Sequence, residues 1–311
     1  MTEELAQNPA GAKPHPVGPN LNPLRLRVRR LLDGLPAPLA EFVLFGLKQA
    51  WACLFAALML GLLIATKLVW QPDWPLYRYD FLFIAAVAIQ FAFLALKLES
   101  FDEAKVIMIY HVVGTVMEIF KTHMGSWSYP EPAYVRIDGV PLFTGFMYAA
   151  VGSYLARVIR IFDMRFTNYP RFVWTALLAL AIYANFFAHH FIWDARWLLF
   201  AWTLLLFGRV RIYFRTDRDW RWMPLVVAGF LTASFLWIAE NVGTATGTWL
   251  YPGNRGWIVS LQKLGSWYLL LMISFFLVTI VNRPRPFDRV EGGRNAAPAR
   301  SPEAVAGRSG A

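Results

Sequence analysis

Eight long, nearly uncharged apolar runs set the limits on what this chain can fold into. They lie near residues 44–66, 81–97, 104–120, 140–157, 172–190, 195–213, 223–240 and 258–281. A helix needs roughly 17–25 such residues to cross the hydrocarbon core of a bilayer. The third run is the most polar of them, since it carries His111 and Glu118, and the fifth and sixth are separated only by the turn His190 to Asp194. The expected fold is an all-α integral membrane protein of about eight transmembrane helices. The first run follows some forty residues of tail and has no signal-peptide cleavage pattern, so it is expected to be retained.

Composition excludes most other classes. Residues are 57% apolar and 16% charged, with a mean hydropathy of +0.42, whereas soluble domains run near a quarter charged. That excludes a disordered chain, a disulfide scaffold and a soluble enzyme. The single cysteine, Cys53, cannot form an intramolecular disulfide, which leaves the redox compartment open. The 14 Trp, 25 Phe and 12 Tyr suit a protein with two membrane interfaces to anchor. A net charge of +10 invites a nucleic-acid partner. The position of the arginines excludes it: they flank the apolar runs instead of forming one stripe.

Sidedness follows from the same residues. With the N-terminus in the cytoplasm, 23 Lys and Arg fall on the inner side and 7 on the outer. The positive-inside bias therefore places both termini in the cytoplasm, in the bacterial inner membrane. Residues 1–42 read as a disordered basic tail, with a short interfacial segment at Leu24 to Leu32 whose apolar and basic residues alternate. Residues 43–282 form the transmembrane domain, and 283–311 a second disordered tail.

A repeat is the most informative motif. Glu118 to Pro130 reads EIFKTHMGSWSYP, and Glu240 to Pro252 reads ENVGTATGTWLYP, an offset of 122 residues. Both fit E-x6-G-[ST]-W-x-Y-P, and each glutamate ends an apolar run before an outer loop. Four spans separate the copies, so both lie on one side of the membrane. That is the mark of a parallel 4+4 duplication, with halves at about 43–157 and 172–282. Trp127, Tyr129, Trp249 and Tyr251 are expected as headgroup-level anchors. A carboxylate inside the membrane boundary is costly and marks a function or a buried partner. Glu118 and Glu240, in equivalent places, are thus expected to converge.

Other polar groups share that outer boundary: His123, His189, His190, Asp194, Asn185 and Lys263. Glu118, Glu240, His189 and Asp194 are the candidates for catalysis. Asn185, His190, Lys263, His123 and the four aromatic rings are candidates for substrate binding. His189 and His190 are adjacent, and on a straight helix would point about 100° apart. They are therefore not expected to hold a common metal, and no metal or cofactor is named by the sequence. Asp80 is a candidate helix N-cap, and Lys97 with Glu99 a candidate interfacial pair. No GxSxG, P-loop or HExxH motif is present.

Several blocks carry a resemblance. They are KQAWACLF (48–55), RYDFLF (78–83), GSWSYPE (125–131), GVPLFTGFMYAAVGSYLAR (139–157), YANFFAHH (183–190), AENVGT (239–244) and SWYLLLMISFFLV (266–278). The chain resembles, over about 43–282, a family of bacterial multi-pass membrane proteins catalogued as domain of unknown function 817. The resemblance implies an integral membrane protein and supplies no activity. Glu118, Gly125, Trp127, Tyr129 and Gly139 to Leu142 also resemble a stretch of carotenoid hydratase-type membrane proteins. That likeness implies protonation chemistry on an isoprenoid double bond.

Three functions stay open on these residues. The first is acid–base chemistry on a lipid-soluble, isoprenoid-like substrate at the outer leaflet, with a glutamate as proton donor and the bilayer as the other partner. The second is a transporter or binding protein for a small solute or ion, using the same polar cluster. The third is an accessory factor in which that cluster is structural glue.

Overall fold

The first apolar run is broken at Cys53. Helix α1 (Ala37–Ala52) and helix α2 (Leu54–Val69) are inclined by 68°. Cys53 has φ −81° and ψ 2°, well off helical values, although its N–H still bonds the carbonyl of Gln49 at 2.9 Å. The computed structural model describes residues 31–32, 34–217, 219–252 and 261–287. The expectations for residues 1–30 and 288–311, and for the start of the eighth span, lie outside the described residues.

Among the described residues, seven more helices follow. They are α3 (Arg78–Ala95), α4 (Phe101–His123), α5 (Phe143–Ile161), α6 (Phe172–Ala188), α7 (Arg196–Phe207), α8 (Leu225–Ala245) and α9 (Leu261–Val281). Helix α4 starts at a full capping box: the Ser100 hydroxyl accepts from the Glu103 N–H, and the Glu103 carboxylate accepts from the Ser100 N–H. Among the described residues, three helical segments are long and apolar enough to cross a membrane: α3, α8 and Lys263–Val281 of α9. The bent α1–α2 pair makes a fourth if taken as one span, while α6 and α7 are apolar but short. Helices α4 and α5 have the length but carry ionic residues within it.

The expectation of an all-α fold needs correcting. Strands β1 (Arg136–Ile137) and β2 (Val140–Pro141) form a small antiparallel ladder. Strands β3 (Arg165–Thr167), β4 (Arg211–Arg215) and β5 (Trp220–Pro224) form a three-stranded sheet in the order β3-β4-β5. The sixth run thus ends as helix at Phe207 and re-forms as strand. The reason is local: Ile212 and Phe214 are buried while Arg211, Tyr213 and Arg215 face the other side, a period-2 pattern that suits a half-buried strand.

Helices α5 and α9 pack on each other at the centre. Helix α4 covers α5 as α8 covers α9, and α1 and α2 lie on α5 as α6 lies on α9. The α4–α5 contact is close because small residues allow it. A Cβ on Gly114 would stand 2.7 Å from the Tyr148 Cβ, and one on Gly152 would stand 2.7 Å from the Tyr110 ring. Many outward side chains are large and apolar, among them Phe91, Trp197, Leu205 and Phe235. A face of this kind belongs against lipid, and the fold is that of a helical membrane protein.

The loops segregate to the two ends. At one end the three-stranded sheet meets the C-terminal segment through the Phe166–Pro286 bridge, Arg221 pairs with Glu41 at 2.6 Å, and Arg160 pairs with Glu103 at 3.0 Å. Glu99 does not pair with Lys97; its carboxylate accepts from Arg157 at 2.8 Å, both side chains fully buried. At the other end Arg78 reaches Glu131 at 2.7 Å and the Thr248 hydroxyl at 3.0 Å. Asp80 is no N-cap either. It sits in the first turn of α3, where its carboxylate accepts from the N–H groups of Tyr134 and Val135.

Candidate functional site

The repeated motif builds the same device twice. Helices α4 and α8 end in matching Schellman turns. In the first, Gly125 N–H bonds Thr122 O at 3.0 Å and Ser126 N–H bonds Lys121 O at 2.9 Å. In the second, Gly247 bonds Thr244 at 2.9 Å and Thr248 bonds Gly243 at 3.0 Å. Gly125 and Gly247 sit at φ +66° and +65°, a conformation that a side chain would strain. The chain then doubles back, and the Trp and Tyr of each motif return to the glutamate of their own helix.

Here the anchor expectation fails. Trp127 Nε1 donates to Glu118 Oε2 at 2.7 Å and Tyr129 Oη donates to the same oxygen at 2.6 Å. Trp249 Nε1 donates to Glu240 Oε1 at 2.8 Å, and Tyr251 Oη donates to that oxygen too. A ring taken out of water needs a partner for its one polar hydrogen, and each buried carboxylate supplies it. The two motifs also join: Ser128 and Leu250 exchange main-chain hydrogen bonds, 2.9 Å each way, as an antiparallel bridge.

The copies differ in two places. Tyr148 Oη on α5 donates to Glu118 Oε1 at 2.8 Å, so both oxygens of Glu118 are engaged. The residue 122 positions after Tyr148 is Leu270, which has no donor. Among the described residues, no donor reaches Glu240 Oε2. Secondly, the Trp249 ring packs against Gly243, whereas the equivalent position in the first copy is Lys121.

Both glutamates line one cavity of about 220 Å³, between α4, α5, α6, α8 and α9. Trp127, Tyr129, Trp249, Tyr251, Asn185, His189 and Lys263 line it as well. Its apolar wall, including Val151, Leu236, Trp267 and Leu270, continues into a smaller pocket of about 30 Å³ toward Ser274 and Leu277. The Lys263 ammonium lies 4.1 Å from the centroid of the Tyr251 ring and 5.8 Å from that of Trp127. Among the described residues, neither glutamate forms an ion pair with it.

The remaining predicted residues stand at the rim or apart. His123 is exposed and does not line the cavity. Helix α6 ends at Ala188, so the straight-helix argument for His189 and His190 does not apply. Their rings lie 4.2 Å apart, and both turn Nε2 toward Lys121 Nζ, at 3.4 and 2.8 Å. His189 Nδ1 lies 3.0 Å from the carbonyl of Asn185. A carbonyl only accepts, so Nδ1 carries the hydrogen and Nε2 the lone pair. Partial burial, the Lys121 charge and the neighbouring His189 together hold the His190 imidazole below its usual pKa.

Asp194 is exposed and lies outside the cavity lining. It closes the turn between α6 and α7, accepting from Asn185 Nδ2 at 3.0 Å and pairing with Arg196 at 3.0 Å. Partial burial raises its pKa, but the hydrogen bonds from Asn185 and the Arg196 N–H, with the Arg196 charge, prevail and hold it below the usual aspartate value. Among the described residues, no three His, Cys, Asp or Glu side chains gather as metal ligands would. Sequence reasoning missed Lys121, Tyr148 and Arg196, all of which line the cavity. Lys121 had a signal, since it lies one turn beyond Glu118 on the same helical face.

A family model described as protein of unknown function (DUF817) matches residues 41–275. The chain belongs to the DUF817 family. The uncharacterized protein YoaT of Bacillus subtilis (strain 168) is 42% identical to this DUF817 protein over 240 residues, which is 76% of the chain and 90% of YoaT. The likeness to carotenoid hydratases finds no support in these matches. Among solved structures, the chain is similar to a mycobacterial Insig homologue, MvINS from Mycobacterium vanbaalenii. The similarity has a TM-score of 0.42 at 15% identity and covers 60% of this chain and 98% of MvINS. A cross-linked MvINS trimer aligns alike, at a TM-score of 0.43.

Proposed function

We propose that this DUF817 protein is an inner-membrane enzyme of eight spans, with both termini cytoplasmic, that performs acid–base chemistry on a lipid-soluble substrate. The 23-to-7 distribution of Lys and Arg supports the orientation. The loops on the basic side of that count meet at one end of the bundle, as alternating spans require. Equivalent helix ends, equivalent hydrogen bonds and a main-chain bridge between equivalent residues support an origin by parallel duplication.

One observation carries the reaction class. Two sequence-equivalent carboxylates line one mostly apolar cavity, and among the described residues only one of them keeps an oxygen without a protein donor. In this reading Glu240 exchanges the proton with the substrate, and Glu118, gripped by three donors, fixes the wall opposite. A carboxyl group in a low-dielectric cavity gives or takes a proton where a neutral amide of the same shape does neither.

The test is lipid profiling of a deletion strain complemented with wild type, Glu240→Gln or Glu118→Gln. Wild type should restore the missing product. Glu240→Gln should lose roughly a hundredfold or more of it at equal protein level. Full complementation by Glu240→Gln would dismiss acid–base chemistry at this position.

A further inference from the structure

Among the described residues, the buried Lys121 forms no ion pair. Its side chain is 3% exposed, at the polar end of the cavity. Its partners are the lone pairs of His189 and His190 and the face of Phe186, at 4.2 Å. All three are neutral acceptors. Among the described residues no carboxylate oxygen lies within salt-bridge distance, 4.0 Å, of its ammonium or of that of Lys263. The nearby Glu118 is occupied by Trp127, Tyr129 and Tyr148. Charge taken out of water is ordinarily matched by an opposite charge. An ammonium has three hydrogens, and the imidazoles use two, which leaves one to give. Arg196 lines the cavity as well, with its charge shared with Asp194 outside the lining.

We infer that the polar end of the cavity receives an anionic headgroup, a carboxylate or phosphate on an apolar body, with Lys121 as its counter-ion. This rests on the reading of the cavity as an amphiphile site, and it fixes the class of amphiphile. The imidazoles aim the ammonium without neutralising it, and the apolar wall below, from Val151 to Leu270, takes the first carbons of the body. Glu240 then faces those carbons and not the headgroup.

The experiment uses the full-length protein in lipid nanodiscs, with tryptophan fluorescence and thermal shift as readouts. The probes are octanoate, octan-1-ol and acetate, which supply both parts of the ligand, the body alone and the headgroup alone. Octanoate should bind roughly tenfold or more tighter than octan-1-ol, the usual effect of a charge-assisted hydrogen bond. Acetate should bind far more weakly than octanoate. Lys121→Met should erase the preference for octanoate while octan-1-ol still binds, and Lys121→Arg should keep it. Equal binding of octanoate and octan-1-ol would overturn the anionic headgroup and leave the amphiphile site standing. So would an unaltered preference in Lys121→Met. Acetate binding as tightly as octanoate would assign the site to a free anion instead. Failure of octanoate and octan-1-ol alike would remove both readings.

Discussion

Tyr148 and Glu118, on adjacent helices, share a 2.8 Å hydrogen bond that occupies the one carboxylate oxygen left over by Trp127 and Tyr129. Gly114, one turn before Glu118, lets α5 come close enough for the phenol to reach it. Tyr148→Phe should leave a buried acceptor without a partner, at a cost of about 1–3 kcal/mol. Thermal unfolding in detergent measures it. An unchanged melting temperature would mean that the first copy does not depend on its third donor.

The second copy depends on a close contact. A Cβ at Gly243 would stand 1.9 Å from Trp249 Cζ2. Gly243→Ala should push the indole off Glu240, lower stability by about 1–3 kcal/mol and shift tryptophan emission. Gly46→Ala, in a helix interior where nothing lies within 4 Å, should raise stability by about 0.5–1 kcal/mol and serves as the control.

Acid should weaken the rim. His190 is held below its ordinary pKa, first by burial and then by Lys121 and His189. Its folded pKa is therefore lower than its unfolded one, and the unfolded chain takes the proton more readily. The stabilising difference is fully present above the unfolded value of about 6.5 and is lost as pH falls below it. Melting curves of wild type and His190→Gln between pH 5 and 8 should converge toward the acid end. Parallel curves would contradict the sign.

Orientation has a direct check. In a Cys53→Ser background, Arg136→Cys should react with an impermeant thiol reagent added outside intact cells. Asp219→Cys should react only after the membrane is opened. Both positions are exposed in the structure, so burial would not mask either result. The reverse pattern would invert the map.

Helices and the pairing of the two motifs were legible because long apolar runs and a spaced motif are local properties of the chain. The kink at Cys53 was not, since no proline or glycine marks it. Nor was the sheet. Its strands lie at the ends of apolar runs, where the count for a span extends smoothly into a period-2 pattern. Trp127 and Trp249 were misread because an aromatic ring near a membrane surface satisfies two rules at once. Only the fold shows that the glutamate lies within reach of the returning loop. Tyr148 needed the packing of α5 on α4, which no spacing in the sequence reports, whereas Lys121 stands one turn beyond Glu118 and could have been read from that spacing.

The bridge between Ser128 and Leu250 has a mechanical consequence. Hydrogen bonds run both ways between the two loops that follow the paired glutamates, and at the opposite end β3 is stitched to β4. Prising the two helix groups apart like a hinged jaw would tear both lacings, at about 0.5–1.5 kcal/mol for each bond lost. A guest of the proposed site that entered sideways between helices would leave both lacings whole.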